Sequence, residues 1–431
     1  MHSLKNHIRI FVRALLGLTV LFADSYSVAQ SQTENQDSQT EIIINGLHNL
    51  SEKNGINLRK LNGYFEIHYV QIDRQNNNIP KLTFYQHSEK KDAYYNPASM
   101  VKLPLLLMTL EKLDALGIDK FTRYVTKNKT KCHNLIDLES KSPEGYYNLA
   151  NDMRKILLVS DNSAYNILFD FLGQEYIDTH LKAKGYRCAQ IMRRFTNCNL
   201  EDNRQANPFW FYDKSGGLIY NQPLTVNASP IVLPESDILI GKAYKENNRI
   251  VNGPKSFRSN NKLTLKEVLT MLQSLVFPET VEAEKRWNIS KENAGFVLKH
   301  LAQLPRESAY IDYQDSKKYP DNYKKLIIFG DQNIIESNDY ENLKIFNIIG
   351  YSYGFISDVA YVVDFESGAE FFLAISMYAN ESNIIDVKYN YHDIARPIMG
   401  ELGRIFLEHE RQRKKLVAPD FTFFKSLLES K

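Results

Sequence analysis

Apolar residues follow two spacings along this chain: alternate or continuous runs towards both ends, and three- to four-residue intervals between them. Tyr64–Ile72 and Lys81–Gln86 carry the β-branched and aromatic residues of strands, and the turn-forming run from Asp73 to Asn78 between them predicts a hairpin. Towards the other end Ile345–Ile349, Ser357–Asp364 and Ala369–Tyr378 read as three strands, the last two joined through Glu366-Ser367-Gly368. In between, Leu103, Leu106, Leu110 and Leu113 predict a helix over Met100–Leu116, stopped by Gly117. Leu149, Met153, Ile156 and Leu157 predict one over Tyr146–Val159, and Ile167, Leu168 and Phe171 one over Ser163–Leu172, ended by Gly173. Further helices are expected at Ile42–Leu58 and Tyr391–Arg411. Pro104 sits awkwardly in this scheme, because proline is comfortable only in a helix's first turn.

The implied fold class is α+β, with an antiparallel sheet built from both chain ends around a mainly helical insertion. Residues 41–98 and 341–431 would form the sheet-bearing part and 99–340 the helical part. At 431 residues and 43% apolar content the chain can bury a large core. Its 53 Lys and Arg nearly balance 51 Asp and Glu, and no basic run is dense enough to neutralise a phosphate backbone, so nucleic acid is not an expected partner.

The first 29 residues have the layout of an export signal. Lys5, Arg9 and Arg13 precede the apolar run Ala14–Ala23, and Ser27-Val28-Ala29 offers small residues for cleavage. That run is about half the ~20 residues that span a bilayer, and no Cys follows it for lipid attachment. We expect an exported chain, periplasmic or secreted, starting near Gln30, with residues 30–40 a polar linker and no membrane span after cleavage. Cys132, Cys188 and Cys198 lack the paired spacing of a zinc site. In an oxidising compartment Cys188 and Cys198 could pair; alternatively all three are buried thiols.

Chemistry concentrates in two short motifs. In Asn96-Pro97-Ala98-Ser99-Met100-Val101-Lys102 a Ser and a Lys three apart open a helix and share a face. A desolvated Lys can take the proton from a serine hydroxyl, and the N–H groups of a helix start favour a developing oxyanion. The second motif, Ser160-Asp161-Asn162, falls between two predicted helices; alone, it would read as a helix cap.

Together, in this helical context, the motifs and the following Asn162–Leu168 resemble the active-site serine enzymes that include class A β-lactamases and penicillin-binding proteins, class A most closely. The resemblance runs from about Ile42 to Arg411, with a poor match between Asp202 and Tyr340. It implies a β-lactamase/transpeptidase-like fold, Ser99 as nucleophile, Lys102 as base and Ser160 as proton relay. Asn162 would bind substrate and Lys102, and the oxyanion would lie between the N–H of Ser99 and one following Gly350, at Tyr351 or Ser352. No metal or organic cofactor is implied.

Two departures stand out. The family's Lys-Thr-Gly-like triplet falls on Ile348-Ile349-Gly350, followed by Tyr353-Gly354 and Asp358, so Ile348 occupies a cationic position; either Lys344, Arg193 or Arg194 substitutes in holding substrate, or penicillin-like substrates bind poorly. Arg194 also matches the Arg preceding the family's water-activating Glu, whose place falls on Thr196, with Glu201 and Asp202 as the acids in reach. The expected activity is β-lactam hydrolysis through an acyl-enzyme. The alternatives are a D,D-peptidase acting on peptidoglycan peptides, or a degenerate member that binds without turnover. His133 and His392 are expected at the surface, and Phe209–Tyr212 as a local core.

Overall fold

The computed structural model describes residues 64–89, 93–130, 132, 142–229, 231, 238–332 and 340–429. The expected export signal, the linker, the helix Ile42–Leu58 and His133 lie outside the described residues.

Strands β1 (Phe65–Arg74) and β2 (Pro80–Ser88) form the predicted hairpin, with Asn77 and Asn78 in the left-handed conformation that asparagine tolerates at a tight turn. Strands β3 (Leu343–Ser352), β4 (Phe355–Asp364) and β5 (Ala369–Tyr378) complete one antiparallel five-stranded sheet of order β3-β4-β5-β1-β2. The chain ends therefore meet edge to edge, Phe65 opposite Met377. A two-residue turn at Tyr353-Gly354, both with positive φ, joins β3 and β4.

Every residue of β4 and β5 is buried, because both faces of the sheet are covered. That explains why these strands read as near-continuous apolar runs and not as strict alternation. Phe346, Ile348, Val359 and Tyr361 face the helical core, whereas Ile345, Ile349, Ala360 and Val362 face a second core under helix α7 (Arg396–Gln412). A wide π-type turn over Tyr391–Ala395 precedes α7, so the expected single helix begins as two geometries.

Helix α1 (Lys102–Leu116) runs through the helical core with Leu103, Leu105, Leu106, Leu107 and Leu110 fully buried, apolar almost all round as a central helix must be. A 3₁₀ turn over Ala98–Val101 leads into it, which leaves Pro104 in the first α-turn and removes the conflict. Helix α2 (Leu149–Val159) starts later than predicted because Asn148 accepts from the N–H of Asn151 and caps it. Its C-cap is Ser160, left-handed at φ 58°, and Asp161 then caps α3 (Asn162–Leu172) through Ala164.

Phe209 and Phe211 of the strand Phe209–Tyr212 are buried beside Phe171 and Tyr124, the local core expected. Among the described residues, no helix is long and apolar enough to cross a membrane.

Candidate active site

The turn that presents Ser99 is held from both sides. Ala98 takes a positive φ of 45°, uncommon for a side chain bearing Cβ, and its N–H donates to Asn96 Oδ1 at 2.9 Å. Ser352 Oγ donates to the same oxygen at 2.9 Å, tying the end of β3 to the turn. Gly350 shows why the strand must come so close: a Cβ there would meet Pro97 O and lie 2.9 Å from the Met100 N. Only glycine allows β3 to seat against the Ser99 turn. Tyr351 is half exposed, with its ring edge-on to Tyr391.

Lys102 is wholly buried. Its ammonium donates to Ser160 O at 2.5 Å, Ser160 Oγ at 3.0 Å and Asn162 Oδ1 at 2.7 Å, so both motifs converge on one nitrogen. Burial, more than any other cause, lowers its pKa from 10.5 to about 7; Asp161 opposes the shift and Lys324 adds to it. Ser99 Oγ is not among its three partners, although the pair sits within one helical turn. Such contacts commonly tighten only when substrate binds.

Among the described residues, no acid stands against Lys102 on the opposite wall. Phe195 stands against Lys102, its ring centroid 5.0 Å from Nζ and packed on Tyr165, and its N–H donates to Asn166 Oδ1 at 2.9 Å. Arg194 does not reach substrate: it is fully buried, pairs with Asp170 and donates to Gln205 O at 2.5 Å. Arg193 donates to Asn260 Oδ1 at 2.9 Å, and Lys344 lines a cavity with Tyr310 and Phe296. Ile348 itself is wholly buried in the helical core. Nor does Glu201 swing in, since it is exposed and paired with Arg204. Asp202 lies beside the cysteines.

The cysteine expectation is corrected as well. Cys132 and Cys198 form the disulfide, with Cα atoms 5.3 Å apart, while Cys188 is free and exposed. The 66-residue separation hid a pairing that the fold creates when the loop after Phe195 packs beside Lys129 and Thr130 through Asn207. Among the described residues the one cluster of three metal-type donors is Cys132, Cys198 and Asp202, two of which are bonded to each other. His392 is at the surface, 3.1 Å from Asp331. Asn96 and Asn166 lie within the motif stretches but have no role assigned from the sequence, and Phe195 carries no motif signal of its own.

Comparisons with known proteins add an independent line. The chain resembles a β-lactamase from Sphaerobacter thermophilus at 12% identity, covering 84% of this chain and 100% of that one, with a TM-score of 0.45. A β-lactamase from Desulfarculus baarsii shows 14% identity over 81% and 93% of the two chains, also at 0.45. A variant of the penicillin-binding protein PBP-A, in an acyl-enzyme complex with penicillin G, shows 12% over 86% and 97%, at 0.44. No curated protein matches. The sequence profile of the Beta-lactamase enzyme family matches residues 62–409, and the chain therefore belongs to that family.

Proposed function

We propose that this protein is an exported serine hydrolase that opens a β-lactam or a related amide through an acyl-enzyme on Ser99. The observation that carries the reading is the buried Lys102 ammonium, held between Ser160 and Asn162 and poised to lose its proton near neutrality. A base with a pKa near the working pH is best placed to accept a hydroxyl proton. Lys102 takes the Ser99 proton as Oγ attacks the carbonyl carbon. Ser160, hydrogen-bonded to Lys102, returns a proton to the departing nitrogen. The oxyanion is received by the N–H of Ser99 and that of Tyr351 or Ser352, a reading supported by the close seating of Gly350 against the Ser99 turn. Asn162 orients Lys102 and is exposed enough to meet the substrate amide. Export is supported by the disulfide, which persists in oxidising compartments, and by the signal-like first 29 residues.

A second reading, a penicillin-binding D,D-peptidase type with a long-lived acyl-enzyme, is favoured by one observation: Phe195, not a carboxylate, faces Lys102. Intact-mass spectrometry of residues 30–431 with a penicillin and a cephalosporin, followed over time beside Ser99→Ala, separates the readings. An adduct that needs Ser99 and clears with product supports β-lactamase turnover, and one that persists supports the penicillin-binding type. Absence of any Ser99-dependent adduct with either drug would reject acylation of β-lactams.

A further inference from the structure

Two buried lysines, not one, sit at the C-terminal end of α2. Lys102 donates to Ser160 O, and Lys324 Nζ donates to Leu157 O, a last-turn carbonyl of the same helix. Lys324 is 4% exposed, and among the described residues Leu157 O is the one partner of its ammonium. Helix C-termini favour cations, so both charges face the same negative dipole end.

The chain goes to some expense to put Lys324 there. Its carbonyl accepts from Asn347 Nδ2 at 2.5 Å, one residue before Ile348 on β3. Asn347 Nδ2 also donates to Asp358 Oδ1 at 2.8 Å, and Asp358 Oδ2 accepts the N–H of Ile327 at 3.0 Å. Four residues after Lys324, Ile328 adopts φ 83°, a left-handed conformation costly for a β-branched residue. Gly400 and Gly403 let α7 press against Gly330 and Ile328 and hold that turn.

Resting on the acyl-enzyme reading above, we propose that Lys324 is a positioning residue that supplies, from the loop behind β3 and against the same C-terminal end of α2, the positive charge that Ile348 lacks, and that its field disfavours a second buried charge on Lys102 beside Ser160. The groups facing this pair are known. Lys102 meets Ser160, Asn162, the Phe195 ring and the field of Asp161. Lys324 meets the field of Asp358 and neighbours Lys325, whose Nζ donates to Leu301 O, Ile345 O and Asn347 Oδ1. Burial lowers the proton affinity of Lys324 as it does that of Lys102, and the Asp358 carboxylate opposes that shift; while Lys324 holds its proton, its charge disfavours a second one on Lys102. A like charge nearby lowers the proton affinity of Lys102, and removing it must raise that affinity.

The test is an NMR titration of lysine-labelled full-length protein, with Lys102 assigned by Lys102→Gln. In Lys324→Met the Lys102 midpoint should move up by about one pH unit, and Lys324→Arg should hold it near the wild-type value, tenfold in proton affinity being one unit. An unchanged Lys102 midpoint in a folded Lys324→Met variant overturns the proposal. Should Lys324→Met not fold, Asp358→Asn, which removes the charge favouring protonated Lys324, should also raise the Lys102 midpoint, and no movement there overturns it equally. The titration reads the lysines without substrate. A shift with no β-lactam adduct therefore keeps the lysine coupling and rejects acylation by β-lactams, while an adduct with no shift does the reverse.

Discussion

The two walls beside Ser99 are built on different terms. On the α2 side, Lys102, Ser160 and Asn162 form a complete hydrogen-bonded set, and a second buried cation stands behind them. On the loop side the corresponding space holds the Phe195 ring, and the loop is fixed by the Arg194–Asp170 pair and the Cys132–Cys198 disulfide. On the proposed reading the first wall would make the acyl bond, and among the described residues no acid stands on the second to activate the water that would break it. The two walls are built from separate contacts, so the two half-reactions should respond independently to substitution.

The largest effect should come from the first wall. Lys102→Met removes the base while keeping an unbranched apolar chain in the buried site, and acylation by a penicillin should fall by about 10²–10⁴-fold, the usual contribution of general-base catalysis. Stopped-flow acylation rates, with folding checked by circular dichroism, measure this. A loss below tenfold would move the base to another group.

On the second wall the change runs the other way. Phe195→Glu places a carboxylate beside Lys102 and should shorten the adduct lifetime by about 10²-fold, towards what a positioned base supplies. The same variant gives up the packing of Phe195 on Tyr165, so denaturant unfolding should show a cost of about 1–3 kcal/mol. If adduct decay is unaltered while acylation is retained, the absence of an acid on this wall is not what limits turnover.

The seam between the walls is sensitive to one methyl group. In Gly350→Ala the new Cβ meets Pro97 O and Met100 N, so β3 must retreat from the Ser99 turn. Overpacking of this kind costs about 1–3 kcal/mol, and moving the N–H of Tyr351 or Ser352 away from the oxyanion position should slow acylation at the same time. Equal acylation rates in Gly350→Ala and wild type would separate the strand from the chemistry.

This asymmetry also governs what could be read from the sequence. Strands and the long helices were legible because they rest on local periodicity, and the meeting of Lys102 with Ser160 and Asn162 because two short motifs together resemble a known family. The disulfide was not, since Cys132 and Cys198 meet only through a 66-residue detour. Arg194 was misassigned as a substrate contact because nothing local announces Asp170, 24 residues earlier, as its partner. Lys324 had no signal either. Its loop lies in the segment between Asp202 and Tyr340 and reaches the site through Asn347, Asp358 and a strained Ile328, contacts that exist only once the sheet has formed.

The smallest expected effect tests the burial of the lysines on the first wall directly. Burial lowers Lys102 and Lys324 from 10.5 to about 7, so between pH 7 and 9 the unfolded chain binds protons that the folded chain has released. Stability rises with pH wherever the unfolded state holds more protons, so unfolding free energy should climb from pH 7 to 9, each such lysine adding up to about 1.4 kcal/mol per pH unit. Below pH 7 both states are protonated at these lysines and their contribution is flat at its least favourable value. Lys102→Met removes one titrating group and should reduce the slope by that amount without abolishing it, because Lys324 remains and Lys112, lowered by burial to about 8, contributes over the upper half of the window. Urea unfolding at pH 7, 8 and 9 measures the difference; parallel wild-type and Lys102→Met lines would mean that Lys102 stays charged in the folded protein and that a neutral base at this position has to be abandoned.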